Sequence, residues 1–279
     1  NFCDCLMAGG TSSTDHSEVG SSYIHFNYTP NQDKATASLI GDVPNGVMLR
    51  QRPIFLGGQG GMVGPCRIAY GTIIGAGSIY RKDQLKPDML VFEGGGRGGR
   101  IPFTPGLYRS VKRQVKNNLI YLGNLFALRQ WYAHVRRAFI GPDLPEPLWE
   151  GLCATLDVAI EERFKRLDGL RQKMPGSIEI YKAQAGEAAS TQVLAEKQEL
   201  FDRWPAVVER LTQDDVFGDL KLRDRFLEDL SGQMQADGTD YVAVIQGLAP
   251  ETVETGTTWL QGIVDSVVSL SIKELEAFA

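Results

Sequence analysis

From Leu56 the apolar positions of the chain recur every six residues. Leu56-Gly57-Gly58-Gln59-Gly60-Gly61 is followed by Met62-Val63-Gly64-Pro65-Cys66-Arg67, Ile68-Ala69-Tyr70-Gly71-Thr72-Ile73 and Ile74-Gly75-Ala76-Gly77-Ser78-Ile79. An apolar residue opens each hexad and a small one follows it. A period of six matches neither an α-helix nor a half-buried strand. It fits a parallel β-helix, in which each short strand points one aliphatic side chain inward. Interrupted hexads precede the regular ones at Val19–Ile24 and from Ile40-Gly41-Asp42. The stretch Gly46–Phe55 is too long for a repeat and reads as a loop thrown out from a corner.

After Pro105 the period changes. Leu107, Val111, Val115, Leu119, Leu122, Leu125, Leu128, Tyr132, Val135 and Phe139 fall three or four apart, which predicts a long amphipathic helix ended by Gly141-Pro142. Helical patterns recur over 146–173, 187–213, 217–236, 240–247 and from 250 onward. Pro175-Gly176, Asp237-Gly238 and Ala249-Pro250 mark breaks between them. The organisation expected is a β-helix over residues 1–93, a Gly/Arg-rich linker over 94–104 (Gly94-Gly95-Gly96-Arg97-Gly98-Gly99-Arg100) and an all-α domain over 105–279.

Charge sharpens this division. The net charge of −5 is the sum of three unlike parts: residues 1–104 are nearly neutral, 105–142 carry seven Lys/Arg and no acid, and 143–279 carry thirteen Lys/Arg against twenty-six Asp/Glu. A basic face one helix long beside an acidic region argues against general nucleic-acid binding. It fits packing against acidic helices better than a ligand site. No stretch of about 18 apolar residues predicts a membrane span, and no secretory leader pattern is present. Cys3, Cys5, Cys66 and Cys153 lack metal spacing. A cytoplasmic chain with reduced thiols is expected. The start at Asn1, inside a β-like pattern, suggests part of a longer protein.

Polar residues concentrate before the regular hexads, at Asp15-His16-Ser17-Glu18 and His25-Phe26-Asn27-Tyr28-Thr29-Pro30-Asn31-Gln32-Asp33-Lys34. With Ile40-Gly41-Asp42, Val63-Gly64-Pro65-Cys66-Arg67-Ile68 and Gly75-Ala76-Gly77-Ser78, this order resembles the acetyltransferase half of the bacterial bifunctional N-acetylglucosamine-1-phosphate uridyltransferase/glucosamine-1-phosphate acetyltransferases. The whole chain is similar to bacterial UDP-N-acetylglucosamine pyrophosphorylase-like proteins. The resemblance covers about residues 15–83 and implies that the β-helix is left-handed, giving a left-handed parallel β-helix followed by an all-α helical domain. It also implies a homotrimer with sites between subunits, acetyl-CoA as cofactor, and a sugar phosphate or sugar nucleotide as substrate.

Carried over by position, the resemblance sets Asn27 and Tyr28 beside the thioester and pantetheine, Lys34 at the sugar phosphate, and Gly58 and Ala76 along the coenzyme groove. The chemistry suits these residue types. An Asn amide can donate to a developing oxyanion, a cation holds a phosphate, and a histidine near neutral pH can take a proton from the amine nucleophile. The family's catalytic histidine falls near Asp4, where there is none, and a sugar-contacting Asn falls on Glu18. A base would therefore be His16, flanked by Asp15 and Glu18, with His25 as the other candidate; His134 reads as structural. Two functions follow. One is acyl transfer from acetyl-CoA to an amino-sugar phosphate. The other is a non-catalytic trimerising module for a nucleotidyltransferase domain preceding this chain. The Arg97/Arg100 run reads as a linker before a phosphate site. Gly57–Gly61 lacks the Lys-Ser/Thr of a P-loop.

Overall fold

The computed structural model describes residues 5–7, 23–25, 31, 36–94, 103–213 and 218–279. The fold expected from the period of six, a left-handed parallel β-helix followed by helices, does not describe this protein. It is mainly helical, with 64% helix and 7% strand. The physical reason lies in the repeat itself. Each hexad commits only two or three residues to a strand, too few to dominate a chain whose larger apolar core is built by helices.

The strands are β1 (Cys5–Met7), β2 (Tyr23–His25), β3 (Ser38–Ile40), β4 (Phe55–Leu56), β5 (Gly61–Val63), β6 (Arg67–Ile68), β7 (Ile73–Ile74), β8 (Ile79–Tyr80) and β9 (Leu90–Val91). They form three separate three-stranded parallel sheets, ordered β1-β3-β6, β2-β5-β8 and β4-β7-β9. Leu56, Met62, Ile68, Ile74 and Tyr80, six residues apart, are buried together with Ile40, Ile54, Cys66 and Tyr70 in a small core of their own. The turns between strands are tight. Gly41 adopts a positive φ of 74°, and the Tyr70 ring lies where its Cβ would be. The Tyr70 hydroxyl donates to the Asp42 carbonyl at 2.9 Å.

The stretch after Ile40 departs from the repeat. Asp42 caps a short helix, α1 (Val43–Gly46), with its carboxylate accepting from the Asn45 backbone N–H at 2.9 Å. Beyond it, Val47, Met48 and Ile54 are buried rather than looped out. Val43, Val47 and Met48 belong to the larger core, shared with the helices of the second half. The Val43 N–H donates to Oδ1 of Asn124, itself buried, at 2.8 Å.

The helical half comprises α2 (Lys112–Gln130), α3 (Glu146–Arg171), α4 (Met174–Ala185), α5 (Thr191–Gln213), α6 (Leu220–Asp237), α7 (Tyr241–Gly247) and α8 (Pro250–Glu274). The helix expected over 105–142 is shorter and ends in a π-turn, Trp131–Val135, then a 3₁₀ turn, Arg136–Phe139. The break expected at Pro175-Gly176 lies just before it: α3 ends at Arg171 and α4 starts at Met174, with Pro175 in the first turn of α4, where its missing N–H costs nothing. The most extensive helix pairing of the fold is that of α2 with α8, and Val115, Leu119, Leu122 and Phe126 of α2 are buried in one core with Leu260, Ile263, Val264 and Val267 of α8. That pairing is close because Gly123 stands at the crossing: a Cβ there would lie 2.9 Å from Val264 Cα. Leu200, Trp204, Val207 and Leu211 supply the buried stripe of α5. Among the described residues, no helix is long and apolar enough to cross a membrane.

Candidate functional site

Of the residues singled out from sequence, His16, Asn27, Tyr28 and Lys34 lie outside the described residues, as do Arg97 and Arg100. His25 is described only as the last residue of β2, opposite Val63. Asn31, within the same polar stretch, is structural. Its side chain accepts from the Gly106 N–H at 2.9 Å and donates to the Leu107 carbonyl at 3.1 Å, anchoring the approach to α2.

Gly58 and Ala76 do come together. They lie in stacked turns after β4 and β7, and the Gly77 N–H donates to the Gly58 carbonyl at 3.0 Å. The turns touch through backbone: a Cβ on Gly57 would fall 2.5 Å from Ala76 N, so only glycine permits the stacking. Ala76 is exposed, and the space before Gly77 is open. The corner thus presents small residues and accessible backbone.

On the neighbouring sheet face, large apolar side chains stand in water. Phe55 pairs with Ile73 and Ile73 with Leu90 across β4-β7-β9. They are 47%, 40% and 55% exposed, and Phe92, packed over Gly75, is 74% exposed. Arg52 and Asp88, both exposed, pair at 2.8 Å beside this ladder. On another side Asp83 receives Arg67 at 3.0 Å and Arg113 of α2 at 3.3 Å, tying strands to helices.

The remaining concentration of chemistry is one that sequence reasoning did not assign. At the π-turn, His134 Nε2 lies 3.1 Å from Gln130 Oε1. Burial holds the imidazole below its usual range, helped by the charges of Arg223 and Arg137 and opposed by Asp224. Arg136 stacks over the Tyr241 ring at 3.8 Å, and Arg137 over Trp149 at 5.6 Å. The Trp131 indole donates to the Tyr241 hydroxyl at 3.1 Å, and the Trp149 indole to the Tyr132 carbonyl at 3.0 Å. The signal in the sequence is Trp131-Tyr132-Ala133-His134-Val135-Arg136-Arg137, aromatic and cationic within two turns.

Among the described residues, no group of three or more His, Cys, Asp or Glu is placed to hold a metal ion. Compared with known proteins, the chain matches no family model, no curated protein and no solved structure.

Proposed function

We propose that this chain is the self-associating part of a cytoplasmic sugar-nucleotide enzyme, and that copies of it meet through the outer face of β4-β7-β9. The observation that carries this reading is the in-register ladder of Phe55, Ile73 and Leu90 with Phe92 beside it. Contiguous apolar surface beyond a few hundred Å² is uncommon on monomers and marks contact sites. A second copy is the occupant that fits. At the rim Arg52 and Asp88 neutralise each other, so a second copy can approach the patch without an unpaired like charge opposing it. The resemblance of the strand segment to trimeric acetyltransferases makes a homotrimer the expected assembly.

Light scattering coupled to size exclusion tests this. The wild-type chain is expected at three times the monomer mass and Ile73→Asp at the monomer mass, with unchanged circular dichroism. A wild-type chain that is monomeric at tens of micromolar refutes the reading.

A second reading, acyl transfer from acetyl-CoA to an amino-sugar phosphate, is favoured by the stacked turns that bring Gly58 and Ala76 side by side. The bound coenzyme would supply the activated acetyl group. Gly58, Ala76 and Tyr28 would seat the coenzyme, Asn27 would donate to the carbonyl oxygen, Lys34 would hold the sugar phosphate, and His16 would take the amine proton. Calorimetry with acetyl-CoA should give saturable binding that Asn27→Ala weakens. Absence of binding by the wild-type chain removes this reading and leaves the first intact.

A further inference from the structure

The buried stripe of α5 falls on Leu200, Trp204, Val207 and Leu211, and the position one turn before it belongs to Lys197. That side chain is 0% exposed, so a lysine fills a place where the stripe calls for an apolar residue. Its Nζ has no hydrogen-bond partner among the described residues. The Tyr181 ring of α4 lies 4.4 Å away. A ring face attracts an ammonium, but it leaves the three N–H donors without lone pairs to meet. Keeping an ammonium from water in this way is costly, and burial holds the pKa of this one below the ordinary lysine value.

The charged groups on the elements packed against this part of α5 are engaged elsewhere or exposed. Glu196 is the next residue along α5, and neighbours in a helix do not face each other; its Oε1 accepts from Gln192 at 3.3 Å. Glu199 accepts the Ala277 N–H at 2.6 Å, Asp168 of α3 holds Arg171 at 2.6 Å, and Glu274 of α8 holds Arg203 and Arg210. Glu179 and Lys182 of α4, Glu187 in the turn after it, Lys273 and Glu276 are exposed.

What covers the amine is the second half of α4. The first half is anchored: Met174, Ser177 and Ile178 are buried, and Ser177 Oγ accepts the Tyr108 N–H at 3.0 Å. From Glu179 to Ala189 no residue is buried. The helix stops at Gly186, with a positive φ of 52°, and a 3₁₀ turn (Gly186–Ala188) leads on to α5. Two side-chain bonds hold this half down. The Tyr181 hydroxyl accepts the Ser190 N–H at 3.3 Å, and Gln184 Nε2 donates to Thr104 Oγ1 at 2.7 Å. Segments with so few buried groups open at less cost than a core, and lids are drawn from them.

We propose that residues 179–189, the second half of α4 and the turn after it, form a lid over the Lys197 amine, held shut while the amine is neutral and loosened when it takes up a proton. Lifting Tyr181 admits water, which supplies the acceptors that an ammonium lacks in the closed state. Opening therefore binds a proton. The closed lid gains as pH rises from the lowered pKa of the enclosed amine toward the ordinary lysine value, and below that lowered value the balance is flat. The device lies in the helical half and does not depend on the association or acyl-transfer readings.

The test is hydrogen exchange of the full chain, followed by mass spectrometry after millisecond mixing at pH 7 to 10 and corrected for the chemical exchange rate. In wild type the opening constant of amides 179–189 should fall by about threefold or more as pH rises across this range. Lys197→Met should open less often than wild type at pH 7 and show no such trend. Lys182→Met, which removes an exposed lysine from the same helix, should behave like wild type. A wild-type opening constant that does not change with pH, the same trend in Lys197→Met, or an equal loss of it in Lys182→Met overturns the proposal.

Discussion

Replacing Gly123 by Ala tests the packing on which the helical half depends. In an isolated helix this change is favourable by about 1 kcal/mol, because glycine loses more backbone freedom on ordering. Here the added methyl would lie 2.9 Å from Val264 Cα, 3.0 Å from Val264 O and 3.1 Å from Val264 Cγ1. Carbon atoms pack at roughly 3.5–4.0 Å, so α2 and α8 must separate by about half an ångström or more. Two of the three atoms met are backbone, so no rotamer change relieves the overlap. Such a gap forfeits a quarter or more of each contact across the seam, and overpacking of this kind costs about 1–3 kcal/mol. Set against the propensity gain, the net expectation is a loss of up to about 2 kcal/mol, a drop in Tm of up to roughly 4 °C for a chain of this size. Gly262→Ala on α8 is the control, since nothing lies within 4 Å of its Cβ position; it should gain up to about 1 kcal/mol. Thermal and urea unfolding followed at 222 nm read both. If Gly123→Ala is as stable as Gly262→Ala, the helices do not approach as described and the reasoning fails.

Asn124→Ala removes the acceptor of the buried Val43 N–H and should lower stability by about 1–3 kcal/mol in urea unfolding; a loss under about 0.5 kcal/mol would show that the bond does not tie α1 to α2. The Cys66 thiol is pushed up to about 12 by burial, so the folded state keeps a proton that the unfolded chain releases from about pH 9. Its contribution is intact below pH 9 and falls as pH rises toward 12, by up to about 1.4 kcal/mol per pH unit. The stability gap between wild type and Cys66→Ala, measured at pH 8, 9 and 10, should therefore shift toward the variant with rising pH, and a constant gap would refute it. Lys197 is fully buried, and its Nζ has no hydrogen-bond partner among the described residues, only the Tyr181 ring at 4.4 Å. Burial lowers its pKa, so the protonated form costs stability that returns as pH rises toward the unfolded value. Lys197→Met should raise Tm at pH 7, with the advantage shrinking at pH 10, and a lower Tm at pH 7 would count against this account.

The repeat made legible which residues of the strand segment are buried. Leu56, Met62, Ile68 and Ile74 open their hexads and share one small core, because a period of six returns each to the same side of a turning chain. It misled about the fold as a whole, since it covers few residues and says nothing of where the neighbouring segment goes. Gly46–Phe55 reads as a loop by length alone. Yet Val47 and Met48 enter the helical core because Asp42 and Asn45 start a helix that turns the chain toward α2. Local capping chemistry outweighed the repeat there. In the second half the spacing of three and four located the buried stripes well. It missed the end of α2, where the apolar residues Val135 and Phe139 continue the pattern while the backbone changes its hydrogen bonding.

The candidate chemistry was legible only where residues close in space are also close in sequence or one repeat apart. Gly58 and Ala76 are eighteen residues apart, three hexads, and that is why a repeat pattern brings them to one corner. Arg137 and Arg223 obey no such rule. Nothing in the spacing between α2 and α6 indicates that both charges fall on His134, and His134 taken alone reads as a core histidine. The coupling of these elements is a product of tertiary packing: Gly123 draws α2 against α8, and α6 packs on that same α8. A basic helix in sequence carries no statement of which of its charges find acids. The fold makes that selection, sending Arg113 and Arg129 to carboxylates and leaving Arg137 on an aromatic ring. Arg137, exposed beside the Trp149 ring and with no carboxylate partner among the described residues, leaves its N–H donors to solvent.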